Sequence, residues 1–131
     1  MASILVTGGA GYIGAHVAKS LARAGFHPVC FDNLSKGHRE AVRWGPLVVG
    51  DLRDGNVIER VLREHRVRAV IHLAGSIEVG ESMRDPAHFF HNNFSNSIPL
   101  LNAMRRAGVD VIVFSSTAAV YGTPTRVPIP E

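Results

Sequence analysis

The sequence predicts an α/β fold, a parallel sheet wound on both faces by helices, and three observations carry that expectation. Short, continuous apolar runs recur along the 131 residues, the pattern of strands buried on both faces. Helix-forming stretches lie between them, as a doubly wound sheet requires. The first run, Ile4-Leu5-Val6, leads straight into Thr7-Gly8-Gly9-Ala10-Gly11-Tyr12-Ile13-Gly14, with glycines spaced G-x-x-G-x-x-G.

Taken in order, strands are predicted at 3–7, 28–32, 47–50, 69–73 and 110–115. A helix over 12–24 follows the glycines and is stopped by Gly25. The gap between Asp32 and Leu47 holds only a weak helical signal, around 38–43. A second helix is expected over 56–64. A third runs from 86 to 107, opened by the N-cap and first-turn pair Asp85-Pro86 and stopped by Gly108. Pro99 falls inside it, where a proline costs about 3 kcal/mol or forces a kink. The preceding Asn92-Asn93-Phe94-Ser95-Asn96-Ser97 forms helix poorly, so a bent helix is expected there. The chain then ends in an irregular segment, 122–131, that carries Pro124, Pro128 and Pro130. Residues 1–121 therefore read as one folded unit and 122–131 as a proline-rich tail.

The length fits one domain, and 46% hydrophobic residues suffice for a real core. No apolar run approaches membrane-spanning length, and the first strand begins within three residues of Met1, so neither a membrane anchor nor a signal peptide is expected. Cys30 is the single cysteine. It forms no internal disulfide and reads as a small core residue in a reducing, cytoplasmic setting. The net charge of +3 rests on arginines such as Arg60, Arg63, Arg66 and Arg68. These lie on and just after one predicted helix, lack interleaved aromatics and are mixed with Glu59 and Glu64, so they read as a solvated face rather than a nucleic-acid surface. Seven histidines raise a metal site, with His88 and His91 three apart near Glu81 and Asp85. Paired cysteines and H-E-x-x-H are both missing, so no metal is expected.

The glycine stretch carries the first functional reading. Gly8 allows a tight turn, Gly11 lets a pyrophosphate lie against bare backbone, and Gly14 lets the helix pack closely on the strand. Free N–H groups at the helix start then hold the phosphate charge. An acidic residue about 20 positions on, closing a second strand, completes the pattern of a dinucleotide site. That residue is Asp32. Its carboxylate would accept both hydroxyls of the adenosine ribose and repel the additional phosphate of NADP, which selects NAD; a strand-end cap is the other role open to it. Lys36 and Arg39 follow closely enough to soften the preference. Asp51-Leu52, after the third strand, suits an adenine pocket or a simple turn. His72-Leu73-Ala74-Gly75 ends the fourth strand in small residues that would let a cofactor cross the sheet edge. Ser115, Ser116 and Thr117 close the fifth, where hydroxyls could meet a reacting alcohol or only finish a strand.

Together the motifs T-G-G-x-G-Y-I-G, F-D-N-L, G-D-L-R-D, V-I-H-L-A-G, V-G-E-S, N-N and F-S-S-x-A-x-V-Y-G resemble the extended short-chain dehydrogenase/reductase superfamily. The likeness spans nearly the whole chain, and its nearest branch is the NAD-dependent epimerases that invert C4 of a UDP-hexose. It implies an NAD(P)-binding Rossmann fold of which these are the first five strands. It implies the interconversion of UDP-glucose and UDP-galactose, hence a place in galactose metabolism, with a UDP-sugar as partner and a homodimeric parent. On that likeness Gly8, Gly11 and Gly14 form the phosphate turn, and Tyr12 and Ile13 cover the pyrophosphate. Asp32, Asn33, Leu34, Ser35, Lys36 and Gly37 surround the ribose, and Asp51 and Leu52 hold adenine. Leu73, Ala74, Gly75, Ser76 and Ile77 line the middle of the cofactor, Asn92 reaches it from the third helix, and Thr117 bonds the sugar's 4-hydroxyl.

Two departures follow from the same comparison. Ile77 stands where some members place a lysine. The catalytic Tyr-x-x-x-Lys is missing, since Tyr12 and Tyr121 have His16 and Thr125 as their fourth followers. The chain therefore reads as stopping before that segment and before the sugar-binding lobe. Alone it is expected to be inactive, and to self-associate through the strand at 110–115. Related nucleotide-sugar dehydratases or decarboxylases, and a non-catalytic NAD-binding module, are the rival readings.

Overall fold

The computed structural model of the chain describes residues 1–75 and 79–131. Its elements are β1 (Ser3–Thr7), α1 (Tyr12–Arg23), β2 (His27–Asp32), β3 (Leu47–Val49), α2 (Gly55–Glu64), β4 (Val67–His72), α3 (Val79–Arg84), α4 (Pro86–Phe90), α5 (Ser97–Ala107) and β5 (Ile112–Phe114). The five strands form one sheet in the order β3-β2-β1-β4-β5, and every pair is parallel.

The alternating side chains of the strands divide between the two faces. Leu5, Val29, Phe31 and Val70 meet Ile58, Val61 and Leu62 of α2 and Leu100, Ala103 and Met104 of α5 in one buried cluster. Burying each of these side chains larger than Ala103 is worth about 1.5–3 kcal/mol. The intervening Ile4, Val6 and Cys30 are also buried but stand outside that cluster. Right-handed crossovers place α1, which links β1 to β2, on the face opposite α2 and α5. Glu59 ties α2 to α5, accepting from Nε of Arg106 at 2.5 Å and from Arg63 at 3.0 Å.

Local chemistry explains where the helices start. Asp54 caps α2, its Oδ1 accepting from the N–H groups of Asn56 and Val57. Asp85 accepts from His88 N–H at 3.0 Å with Pro86 in the first turn of α4, as the sequence predicts.

The long helix expected over 86–107 is corrected. It is interrupted by a π-helical turn, His91–Ser95, in which the N–H of Asn96 reaches back five residues to the carbonyl of His91 at 3.0 Å. Pro99 consequently falls in the first turn of α5, where no helical N–H is required of it. Helix α3 carries no apolar period long enough to read and was not expected. The weak signal at 38–43 becomes one 3₁₀ turn, Arg39–Ala41. Strand β4 begins two residues earlier than expected because Val67 is buried against the α2–α5 cluster. The expectation of strands buried on both faces fails for the two edge strands. In β3, Leu47 and Val48 are only half-buried and Val49 is exposed, and in β5 Ile112, Val113 and Phe114 are all exposed.

Candidate nucleotide-binding site

Parallel pairing brings the carboxyl ends of the strands into one rank. Thr7 is level with Phe31 and His72, Asp32 with Val49, and His72 with Phe114. The chain leaves β1 toward β2 on one side, while β4 lies on the other, so a crevice opens where the order reverses.

The glycine turn stands at that crevice. Gly8 has φ +72°, its N–H donates to the carbonyl of Phe31 at 2.8 Å, and a Cβ there would press on the backbone of Leu73 and Ala74. A Cβ on Gly14 would overlap the carbonyl of Gly8, so close packing of α1 on the turn depends on its absence. Gly11 is different: its added Cβ would meet only one atom, at 3.3 Å, which leaves the approach open. No side chain caps the N-terminus of α1 and no acidic residue lies in its first turn. The opening N–H groups and the positive end of the helix dipole therefore suit an anion. Tyr12 and Ile13 beside them are exposed despite their apolar bulk.

Asp32 closes the loop from the other side. Its Oδ2 accepts from Ala10 N–H at 3.0 Å and its Oδ1 from Leu34 N–H at 2.8 Å. Both roles open to it are thus compatible, because each carboxylate oxygen keeps a further lone pair. Leu34 sits at φ +60°, Asn33 Oδ1 accepts from Ser35 N–H, and Gly37 packs against Ala10. The segment 32–37 thereby folds back onto the glycine turn.

Asp51 carries a partner that the sequence reading missed. Arg53 forks onto it, Nε to Oδ1 at 3.0 Å and Nη2 to Oδ2 at 2.9 Å. This hydrogen bonding, chiefly, holds the Asp51 carboxyl below its usual range. Leu52 is half-buried against the core cluster. An exposed pair of this kind is worth about 0–1 kcal/mol, so a ligand amine can compete for the carboxylate.

Between β1 and β4 lies a buried polar line. Thr7 Oγ accepts from the N–H groups of Leu73 and Ala74 at 3.2 and 3.3 Å, so its own proton goes to His72 Nδ1 at 2.6 Å. Nε2 of His72 then carries the ring proton and donates to Ser97 Oγ at 3.1 Å. Ser97 in turn donates to the carbonyl of Asn93 at 3.3 Å. Burial depresses the His72 pKa below 6.5, which agrees with a neutral ring. The sequence reading took His72 only as the start of a strand-end motif; a histidine inside an apolar strand was the available signal.

Asn92 lies in the π-helical turn and donates from Nδ2 to Asn93 Oδ1 at 3.4 Å. That oxygen stands 3.1 Å from where a Cβ on Gly75 would lie, so Asn92 approaches the end of β4 through Asn93. Thr117 follows β5, and its Oγ accepts from Ala119 N–H at 3.1 Å. Ser115 N–H donates to the His72 carbonyl, which brings the end of β5 beside that of β4. Of the expected lining, Ser76 and Ile77 lie outside the described residues. Among the described residues, no three His, Cys, Asp or Glu side chains gather as a metal would require, and no helix is long and apolar enough to cross a membrane.

Comparisons with known proteins agree with this geometry. Residues 4–131 match the NAD dependent epimerase/dehydratase family. The chain is 55% identical over 129 residues to UDP-glucose 4-epimerase of Azospirillum brasilense, covering 98% of this chain and 37% of that one. It is 53% identical to that of Rhizobium meliloti, covering 98% and 39%. Among solved structures, UDP-glucose 4-epimerase from Brucella ovis in complex with NAD superposes with a TM-score of 0.91 at 46% identity, covering 98% of this chain and 39% of that one. The Stenotrophomonas enzyme with bound NAD and formylated UDP-arabinopyranose gives 0.92 at 39% identity, covering 98% and 41%. The chain thus spans about two fifths of the length of these relatives. With a glycine turn at an uncapped helix, an acidic residue closing β2 and a family match from residue 4 onward, the chain belongs to the NAD dependent epimerase/dehydratase family.

Proposed function

We propose that this chain is the NAD-binding portion of an enzyme that epimerises C4 of a UDP-hexose, interconverting UDP-glucose and UDP-galactose. The observation that carries the reading is the uncapped start of α1, set in a chain about half identical to proteins named UDP-glucose 4-epimerase. When bound, NAD supplies a hydride acceptor and donor, and the protein supplies position and proton management.

In this reading the N–H groups of Tyr12 and Ile13, approached past Gly8, Gly11 and Gly14, hold the pyrophosphate. Asp32 accepts the ribose hydroxyls, and Asn33, Leu34, Ser35, Lys36 and Gly37 enclose that sugar. Asp51 takes the adenine amine while Leu52 packs on the ring. Leu73, Ala74 and Gly75, with Ser76 and Ile77 next in sequence, border the middle of the cofactor, and Asn92 contacts it from the π-helical turn. Thr117 already accepts one hydrogen bond from Ala119, so its hydroxyl proton is available to the sugar's 4-hydroxyl. Residues 1–121 form the binding unit and 122–131, exposed throughout, its tail.

A homodimeric parent is supported by Phe90, Phe94, Ile98 and Leu101. They are exposed at helical spacing along α4, the π-helical turn and α5, with the two phenylalanine rings stacked at 5.0 Å. A cytoplasmic setting is supported by Cys30, buried and unpaired.

Calorimetric titration of the chain with each nucleotide tests the cofactor assignment. NAD is expected to bind at least about tenfold tighter than NADP, because Asp32 places a like charge where the extra phosphate would sit. Equal affinities would overturn the selection. The 131-residue chain should not turn over UDP-galactose, since it offers no Tyr-x-x-x-Lys base. Turnover by rigorously purified chain would point instead to Tyr121.

A further inference from the structure

The hydrogen-bonded line from Thr7 through His72 to Ser97 ends at the turn that carries Asn92. We propose that Ser97, oriented by His72, is a positioning residue for the dinucleotide: it fixes the π-helical turn His91–Ser95 and thereby aims the carboxamide of Asn92. The proposal rests on the dinucleotide reading above.

A π turn is a poor helix, rarely stable without outside support, and such turns concentrate at functional sites. Among the described residues, two threads support this one. In the first, the Asn93 carbonyl is held by Ser97 Oγ at 3.3 Å, and Ser97 Oγ is itself held by His72 Nε2 at 3.1 Å. The ring cannot turn away, because Nδ1 is engaged by Thr7 and both residues are almost fully buried, at 3% and 0% exposure. In the second, the Asn93 side chain lies against the backbone of Gly75 and receives Asn92 Nδ2. Asn93 is therefore pinned through its main chain by Ser97 and through its side chain by the end of β4. Asn92 is bonded to Asn93, so what holds Asn93 also bears on the carboxamide of Asn92.

Thr7 immediately precedes Gly8, and its hydroxyl also ties down Leu73 and Ala74. One line of bonds thus joins three parts of the proposed cofactor site: the phosphate turn, the end of β4 and Asn92. Satisfying the buried histidine accounts for a partner at each ring nitrogen. It does not by itself require that the partner of Nε2 be the one hydroxyl that also grips the turn.

The test compares NAD affinity in Ser97→Ala, Ser97→Thr, Asn92→Ala and the Ser97→Ala/Asn92→Ala double variant of this chain. Ser97→Ala is expected to weaken binding by about 3- to 10-fold, the worth of the part-buried hydrogen bond by which Ser97 holds the turn. Ser97→Thr, which keeps the hydroxyl, should restore it. In the Asn92→Ala background the Ser97→Ala change should cost nothing further. Unchanged affinity in Ser97→Ala, or the same loss in both backgrounds, would overturn the proposal. Amide exchange of Asn96 decides the structural half without ligand: it should quicken about tenfold in Ser97→Ala, since its bond to His91 defines the turn. Should wild-type chain fail to bind NAD, the dinucleotide reading falls while this exchange still judges the positioning, and unchanged exchange refutes it.

Discussion

At the scale of single residues, the site is built from side chains that serve the fold and the ligand at once. Asp32 anchors the loop 32–37 through Ala10 and Leu34 and carries the charge proposed to select NAD. Two substitutions separate these duties. Asp32→Asn removes the charge and keeps one oxygen acceptor while setting an NH2 against the other N–H, so the NAD-over-NADP ratio should fall toward one at a stability loss of about 0.5–1.5 kcal/mol. Asp32→Ala should lose the ratio and also destabilise by about 1–3 kcal/mol, since two N–H groups lose their acceptor. Titration beside urea denaturation reads both, and an unchanged ratio in Asp32→Asn would remove Asp32 from cofactor selection.

His72 offers a second test. Its folded pKa lies below 6.5 because burial disfavours the charged ring. Under acid the unfolded ring takes a proton that the folded one refuses, so the unfolded state is favoured. Stability attributable to His72 is complete above pH 6.5 and declines as pH falls from there toward the folded pKa. Denaturation midpoints between pH 7.5 and pH 5 should therefore drop more steeply for wild type than for His72→Phe. Equal slopes would show that the ring is not held neutral.

Among the elements, the segment 86–107 is the instructive one. Its composition reads as one helix damaged by a proline, yet the chain places its break at His91–Ser95 and begins α5 just ahead of Pro99. Pro99 then stands where a missing N–H costs nothing. Pro99→Ala should accordingly change stability by no more than about 0.5 kcal/mol. Leu100→Ala, one residue on and fully buried, should cost about 2–5 kcal/mol. Thermal melts of the two variants make the comparison. A large loss in Pro99→Ala would mean that the proline itself sets the turn.

For the whole molecule, the notable feature is the open flank at β5. Val111, Ile112, Val113 and Phe114 are 37–60% exposed on an edge strand. An apolar edge with unpaired backbone groups templates further pairing, so the chain is expected to associate with itself as concentration rises. Sedimentation velocity across a concentration series should show growing species, and Val113→Lys should shift the chain toward monomer. A wild-type monomer at high concentration, with slow exchange nowhere along 111–114, would discard the expectation.

By itself the sequence determined the alternation of strand and helix, the glycine turn, the acidic end of β2 and the cap at Asp85. Each of these is a local matter: a residue and its near neighbours settle the backbone, and the motif order carries the family. Only the tertiary structure decided that β1 sits between β2 and β4, that Arg53 occupies Asp51, and that the third helix breaks into a π-helical turn. It alone revealed the line joining Thr7, His72 and Ser97, whose bonds span 65 and 25 residues of chain. The reason is physical. Whether a polar side chain is satisfied, or a strained turn held, depends on which atoms the sheet brings within about 3 Å of it, and spacing along the chain does not specify that distance.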